Sequence, residues 1–133
     1  MIAGVTRQIV VGVDDDFRVR ESIESLVESA GYSPLVFSSA EEFLRSGIIQ
    51  GAKCLITDVR MPGMDGIELQ RLIKRERPEL PVIFISAHCD EKARKRALEE
   101  GAVGFLYKPF DAGELLGAIQ TAVSNSPEAG VPE

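Results

Sequence analysis

Short apolar runs alternate with amphipathic stretches along most of the chain. The runs lie at residues 9–13, 34–37, 53–57, 82–85 and 103–107. Between them, apolar residues recur at three- and four-residue intervals, as at Ile23, Leu26 and Val27, which predicts helices with one buried face. Strands and helices in regular alternation are typical of an α/β domain with a parallel sheet. We therefore predict five parallel strands and five helices.

Capping signals predict where several helices begin. Ser39 is followed three residues later by Glu42, and Asp111 by Glu114, which is the spacing of a capping box. Asp16 precedes the first helical stretch and is interpreted as an ordinary N-cap. These signals agree with the boundaries that the apolar pattern predicts.

Five chemically useful side chains stand at the ends of the predicted strands. They are Asp14 and Asp15 after the first strand, Asp58 at the third, Ser86 at the fourth and Lys108 at the fifth. A flavodoxin-like, doubly wound sheet of strand order 2-1-3-4-5 would gather them in the crevice between the first and third strands. Periodicity does not select this order, but the chemistry favours it, because it gives three carboxylates and a lysine one shared use.

Packed together, Asp14, Asp15 and Asp58 would repel one another and raise their pKa values unless a cation joins them. Mg²⁺ binds one or two carboxylates, keeps several waters and leaves room for phosphate oxygens. Lys108 supplies a second positive charge. These features match the needs of a phosphoryl group, with Asp58 as the nucleophile that forms an aspartyl phosphate. In a plainer interpretation each acid only caps the helix that follows it.

Four motifs in order and spacing carry a family resemblance over residues of about 8 to 123. They are VDDD at 13–16, TDVRMPGMDG at 57–66, ISA at 85–87 and YKPF at 107–110. On these motifs the chain resembles a response-regulator receiver domain of two-component signalling. The resemblance implies that Asp58 accepts phosphate from a sensor histidine kinase or phosphotransfer protein, with only self-catalysed phosphorylation and slow autodephosphorylation expected. It is thus expected to be a regulatory domain and not an enzyme.

The resemblance also assigns roles to the other site residues. It implies that Asp15, Asp58 and the backbone carbonyl of Arg60 bind Mg²⁺ directly, while Asp14 holds a metal-bound water. Lys108 would bridge to Asp58 or its phosphate, and the bond from Lys108 to Pro109 is expected to be cis.

A switch is implied as well. In the family, the hydroxyl at Ser86 moves toward the phosphate and the aromatic ring at Phe105 turns inward, which changes the face formed by helix four, strand five and helix five. Phe105 has no hydroxyl, so its signal would be shape and burial alone. Its alternative role is ordinary packing of strand five. His88 and Arg60 are expected at the rim of the site.

Size and composition limit the number of domains, the cellular location and the kinds of partner. A chain of 133 residues with 44% apolar content is enough for one domain. We assign residues 8–123 to a receiver domain and 124–133 to a flexible tail or linker. The chain shows no membrane-spanning or secretion segment, and its net charge of −6 argues against nucleic-acid binding by this domain. A cytoplasmic location without membrane contact is expected, and Cys54 and Cys89 are expected to be reduced thiols.

Two functions from other classes stay open at this stage. A flavodoxin-like cofactor-binding protein could share the fold, but three acids after strand one would repel its phosphate. A haloacid-dehalogenase-type phosphatase would carry a second acid two residues after the nucleophile, where this chain has Arg60. The kinase and the output are not encoded in these residues. An output domain or effector protein and a phosphorylation-dependent homodimer are compatible with the resemblance.

Overall fold

The computed structural model describes residues 7–87 and 89–125. The strands are β1 (Ile9–Val13), β2 (Ser33–Phe37), β3 (Ala52–Asp58), β4 (Val82–Ser86) and β5 (Gly104–Tyr107). The helices are α1 (Phe17–Ser29), α2 (Ala40–Ser46), α3 (Gly66–Glu76), α4 (Glu91–Glu99) and α5 (Ala112–Asn125). A short 3-10 helix, Ile48–Gln50, precedes β3. In this part of the chain no helix combines the length and the apolar surface needed to cross a bilayer.

All five strands are parallel, and their order is β2-β1-β3-β4-β5. This confirms the predicted doubly wound sheet. The register decides where the functional residues lie, because Val13 pairs with Thr57. Asp14 and Asp58, the next residues along the two strands, therefore leave the sheet side by side.

Helices cover both faces of the sheet. Ile23 of α1 and Ile119 of α5 pack in one apolar cluster, whereas Phe43 of α2 and Leu69 of α3 belong to the cluster on the other face. Each of these side chains is fully buried, which contributes roughly 1.5–3 kcal/mol per residue. The two-sided burial explains why the central strands are continuous apolar runs.

Several boundaries differ from the sequence prediction. Helix α5 continues to Asn125, past the predicted domain end at 123, and the rest of the tail lies outside the described residues. The Ser39 hydroxyl caps α2 by accepting a hydrogen bond from the Glu42 N–H (3.1 Å). The Glu42 carboxylate accepts from the Ser38 N–H (2.7 Å) and not from the Ser39 N–H, as a capping box would require, so this second bond is displaced by one residue. The complete capping box belongs instead to α3, between Asp65 and Glu68.

Gly66 lets the start of α3 approach the end of β3 closely. A Cβ atom built on Gly66 would lie 2.1 Å from the Asp58 carbonyl oxygen and 3.0 Å from the Phe84 ring. The Gly66 N–H also donates to the Val59 carbonyl (2.9 Å). A side chain here would therefore push against the backbone that carries Asp58.

We predict that Gly66→Ala lowers the free energy of unfolding by about 1–3 kcal/mol, the usual range for overpacking a filled site. Gly117→Ala is the matched control: a Cβ there meets nothing within 4 Å, and the helix should gain up to about 1 kcal/mol. Chemical denaturation of both variants measures the difference. Equal stabilities would contradict the close approach.

Candidate functional site

The carboxyl edge of the sheet brings the predicted site residues together. Asp14 follows β1, Asp58 ends β3, Ser86 ends β4 and Lys108 follows β5. Asp14, Asp58 and Ser86 are buried, with exposed fractions of 0%, 6% and 1%. A row of parallel strands has thus placed two carboxylates, a hydroxyl and an ammonium in one largely desolvated group.

Lys108 joins the two buried acids. Its Nζ lies 2.9 Å from Asp14 Oδ2 and 3.3 Å from Asp58 Oδ2. Burial of the ammonium opposes its protonation, but the contacts with Asp14 and then Asp58 outweigh that effect and raise the pKa of Lys108. The bond from Lys108 to Pro109 is cis, and the Lys108 N–H donates to the Ser86 carbonyl (2.7 Å).

Asp58 carries an unfavourable charge in this site. Its pKa is raised, first by burial and then by the neighbouring Asp14, while Lys108 and the Arg60 N–H act in the opposite direction. The contact with Lys108 therefore does not outweigh burial and the repulsion from Asp14. A further cation would relieve this repulsion.

Asp14, Asp15 and Asp58 form a cluster that suits a hard metal ion. Each offers one oxygen atom, and these three atoms lie within 4.8 Å of one another. Among the described residues, no group donates a well-aligned hydrogen bond to Asp14 Oδ2, even though the Lys108 ammonium is near it. Oxygen donors of this kind, one of them lacking a hydrogen bond, fit Mg²⁺ and its waters.

Ser86 and Phe105 lie on the same face of neighbouring strands. Phe84 pairs with Phe105 in the sheet register, and Ser86 pairs with Tyr107. The Phe105 ring is half-buried, with ring centroids 6.0 Å from Phe84 and 5.5 Å from Tyr107. Ser86 and Phe105 therefore lie on one face of the sheet, and Phe84 and Tyr107 lie beside the Phe105 ring.

Two contacts link the site to the start of α4, and the sequence interpretation missed both. Arg60, which is exposed, forms an ion pair with Asp90, the N-cap of α4. The Tyr107 hydroxyl donates to Glu91 (3.0 Å). The predicted rim residue His88 lies outside the described residues. Asp90 before a helical stretch is a typical N-cap and could have been predicted from the sequence. Its ion pair with Arg60 could not, because the hydrophobic pattern says nothing about which charged side chains meet.

The cysteines take no part in the site. Cys54 is fully buried in β3, and burial raises the pKa of its thiol to about 12. Cys89 is exposed, and both thiols are free.

Comparisons with known proteins agree with this geometry. The family model described as the response regulator receiver domain matches residues 10–120. The response regulator protein TodT of Pseudomonas putida is 44% identical over 120 residues, which cover 90% of this chain and 53% of TodT. The DNA-binding transcriptional regulator NtrC of Escherichia coli is 38% identical over 126 residues, covering 95% of this chain and 27% of NtrC. This chain thus spans about half, or less, of the length of these relatives.

Solved structures show the same similarity. A response regulator receiver domain protein from Clostridium thermocellum superposes with a TM-score of 0.83 at 32% identity, covering 88% of this chain and 94% of that chain. The structure named FixJ-N superposes with a TM-score of 0.81 at 32% identity, covering 93% of this chain and 99% of that one. The likeness therefore includes the whole sheet and its helices.

The raised pKa of Asp58 predicts how metal-free stability depends on pH. A carboxyl whose pKa is higher in the folded than in the unfolded state favours folding below the unfolded value, about 3.9, and that contribution is lost as pH rises through the folded value. Asp58→Asn removes this loss. Without divalent metal at neutral pH, we expect Asp58→Asn to melt at the same temperature as wild type or a few degrees higher.

Calorimetry from pH 4 to pH 8 in EDTA tests this expectation. Asp16→Asn is the matched control, because Asp16 is exposed and Asn is an equally good N-cap. The gap between Asp58→Asn and wild type should widen with pH, whereas Asp16→Asn should follow wild type. A strongly destabilised Asp58→Asn would show that the carboxylate is compensated by Lys108.

Proposed function

This chain belongs to the response regulator receiver domain family, and on that premise we propose that Asp58 is its phosphoacceptor. One observation carries the proposal: the Lys108 ammonium lies within 3.3 Å of both Asp58 and Asp14, beside a cluster of three acids. Asp58 takes the phosphoryl group from a sensor histidine kinase or a phosphotransfer protein. The family is regulatory, and turnover of substrates is not its function.

In the proposed transfer, a carboxylate oxygen of Asp58 attacks the phosphorus of a phosphohistidine. The P–O bond forms as the P–N bond breaks, and the imidazole nitrogen leaves with the electron pair and takes up a proton. The Lys108 ammonium lies next to Asp58, and in this position it stabilises negative charge on the phosphoryl oxygens. The buried position of Asp58 limits competing water.

The acidic cluster would hold Mg²⁺. Asp15, Asp58 and the Arg60 carbonyl are the proposed direct ligands, and Asp14 is proposed to hold a metal-bound water. When bound, Mg²⁺ supplies positive charge that offsets the crowded carboxylates and the incoming phosphoryl oxygens. The raised pKa of Asp58 supports this assignment, because burial and the neighbouring Asp14 oppose the charge of this carboxyl and a nearby cation would favour it.

Ser86 and Phe105 are proposed to report the phosphate to the face formed by α4, β5 and α5. The Ser86 hydroxyl would move toward the phosphoryl group, and the Phe105 ring would turn into the space it leaves. The rings of Phe84 and Tyr107 lie beside the Phe105 ring, so a turn of Phe105 would change its packing against both. This arrangement supports a coupled movement.

Partners follow from the same premise. TodT and NtrC are both longer than this chain, which supports an output domain or effector protein as the recipient of the signal. A net charge of −6 supports the absence of direct nucleic-acid binding by this domain. We also propose a cytoplasmic location, no membrane contact and a phosphorylation-dependent homodimer through the α4-β5-α5 face.

We predict that acetyl phosphate with Mg²⁺ labels wild type with one phosphoryl group and leaves Asp58→Asn unlabelled, because the amide is not a nucleophile. Asp16→Asn should label like wild type. Intact mass spectrometry and acid-sensitive release of phosphate measure the result. Retained labelling of Asp58→Asn would contradict the assignment, and sustained hydrolysis of varied phosphoesters would favour the phosphatase alternative.

A second experiment tests the switch. Ser86→Ala should keep much of the labelling, because the nucleophile, the acids and Lys108 remain, but it should lose the conformational response. Phe105→Leu should blunt that response from the other end. Amide NMR shifts of α4, β5 and α5 with and without beryllofluoride, a phosphoryl mimic, measure it.

Because both variants act on one equilibrium, their effects should not add in the double variant. Phe37→Leu is the matched control, since Phe37 packs on Phe43 away from β5. It should respond to beryllofluoride like wild type. Full responses by Ser86→Ala and Phe105→Leu would mean that the signal takes another route.

A further inference from the structure

We propose that Arg20 is a positioning residue for the acidic cluster, which it serves by holding the main chain of Asp14. The inference rests on the proposed Mg²⁺ and phosphoryl site. Arg20 lies in the second turn of α1 and reaches back toward the end of β1. Its guanidinium NH1 donates to the Asp14 carbonyl at 2.9 Å.

Besides the bond from Arg20, two hydrogen bonds and one ion pair restrain Asp14. The Asp14 N–H donates to the Phe37 carbonyl of β2 (3.1 Å), and Asp14 Oδ1 accepts from the Asp16 N–H (2.8 Å). Asp14 Oδ2 lies beside the Lys108 ammonium. The hydrogen bond from Arg20 adds a restraint at the Asp14 carbonyl and so helps to hold the loop from Asp14 to Asp16.

An arginine suits this position for geometric reasons. The guanidinium lies 5.7 Å from the centroid of the Phe17 ring, and Phe17 is 63% exposed. A cation at this distance from the face of an aromatic ring gains a favourable cation–π interaction, which helps to hold the guanidinium beside the loop. The Arg20 N–H bonds to the Asp16 carbonyl (3.1 Å) as α1 begins, so the side chain and the loop share one rigid helix end.

The positive charge of Arg20 and its proposed positioning role predict opposite effects on Mg²⁺ binding. The guanidinium contacts the acidic cluster and repels a metal ion there, so by charge alone the loss of Arg20 would tighten Mg²⁺ binding. If Arg20 acts by positioning, its removal must do the opposite, because the loop that carries Asp14 and Asp15 then relaxes away from Asp58. Groups that orient metal ligands typically change affinity 10- to 100-fold when lost.

The test measures Mg²⁺ affinity by titration calorimetry and by thermal shift in the full chain. Arg20→Ala should weaken Mg²⁺ binding about 10-fold. Arg20→Gln removes the charge and shortens the donor, and should also weaken binding. Arg18→Ala is the matched control, since Arg18 is exposed on the same helix, and it should bind Mg²⁺ like wild type. Asp15→Ala is the positive control and should abolish binding.

A readout without metal keeps the two proposals apart. Hydrogen exchange of the Asp16 amide, which bonds to Asp14 Oδ1, should accelerate in Arg20→Ala and not in Arg18→Ala. Unchanged or tighter Mg²⁺ binding by Arg20→Ala and Arg20→Gln would overturn the inference. If wild type fails to bind Mg²⁺, the proposed function fails, and the exchange rate alone then decides whether Arg20 positions the loop. If Arg20→Ala does not fold, Arg20→Gln supplies both measurements.

Discussion

The structure depends on one lysine that lies between two buried carboxylates. Asp14 is inaccessible to solvent and Asp58 nearly so, and among the described residues Lys108 is the cation that forms an ion pair with both. Burying a charge is costly even when it is paired, and here one cation serves two anions. Burial and the neighbouring Asp14 raise the pKa of Asp58, so ionisation of this carboxyl lowers the stability of the folded protein. In the proposed function, a bound Mg²⁺ would relieve this repulsion.

The sheet and its first connections supply the restraint. Pairing of Val13 with Thr57 fixes the level at which the two acids leave β1 and β3. Gly66 allows α3 to begin against the Asp58 carbonyl, and a side chain at Gly66 would push against the backbone that carries Asp58. Two apolar clusters, one on each sheet face, supply the stability that offsets the strained group of charges. The geometry of the site thus depends on apolar clusters that include none of the site residues Asp14, Asp58 and Lys108.

The sequence predicts the strands and the acidic cluster well, because both follow from short-range patterns. Apolar runs that end in Asp14, Asp58 and Lys108 indicate buried strands with polar ends, and parallel topology then brings those ends together. The contacts of Arg20 and of Arg60 were not predictable in the same way. They depend on where long, flexible side chains find partners across a turn or a loop, and periodicity carries no information about that choice.

Helix α4 is held differently at its two ends, which bears on the proposed switch. At the carboxyl end, the buried Gln70 side chain donates to the Ala97 carbonyl (3.0 Å), and Arg71 forms two 3.1 Å bonds to Glu100. At the amino end, the described contacts are the exposed ones from Arg60 to Asp90 and from Tyr107 to Glu91. Exposed ion pairs contribute about 0–1 kcal/mol, whereas breaking a buried hydrogen bond costs about 1–3 kcal/mol.

A movement of α4 should therefore begin at its amino end, where the least interaction energy is lost. That end is also the one nearest the site, because Arg60 follows Asp58 by two residues and Tyr107 precedes Lys108. The weak contacts and the functional residues thus share the same strand ends. In the proposed switch, a rearrangement at Ser86 and Phe105 would act first on these exposed contacts, while the buried hydrogen bond from Gln70 keeps the other end of α4 against α3.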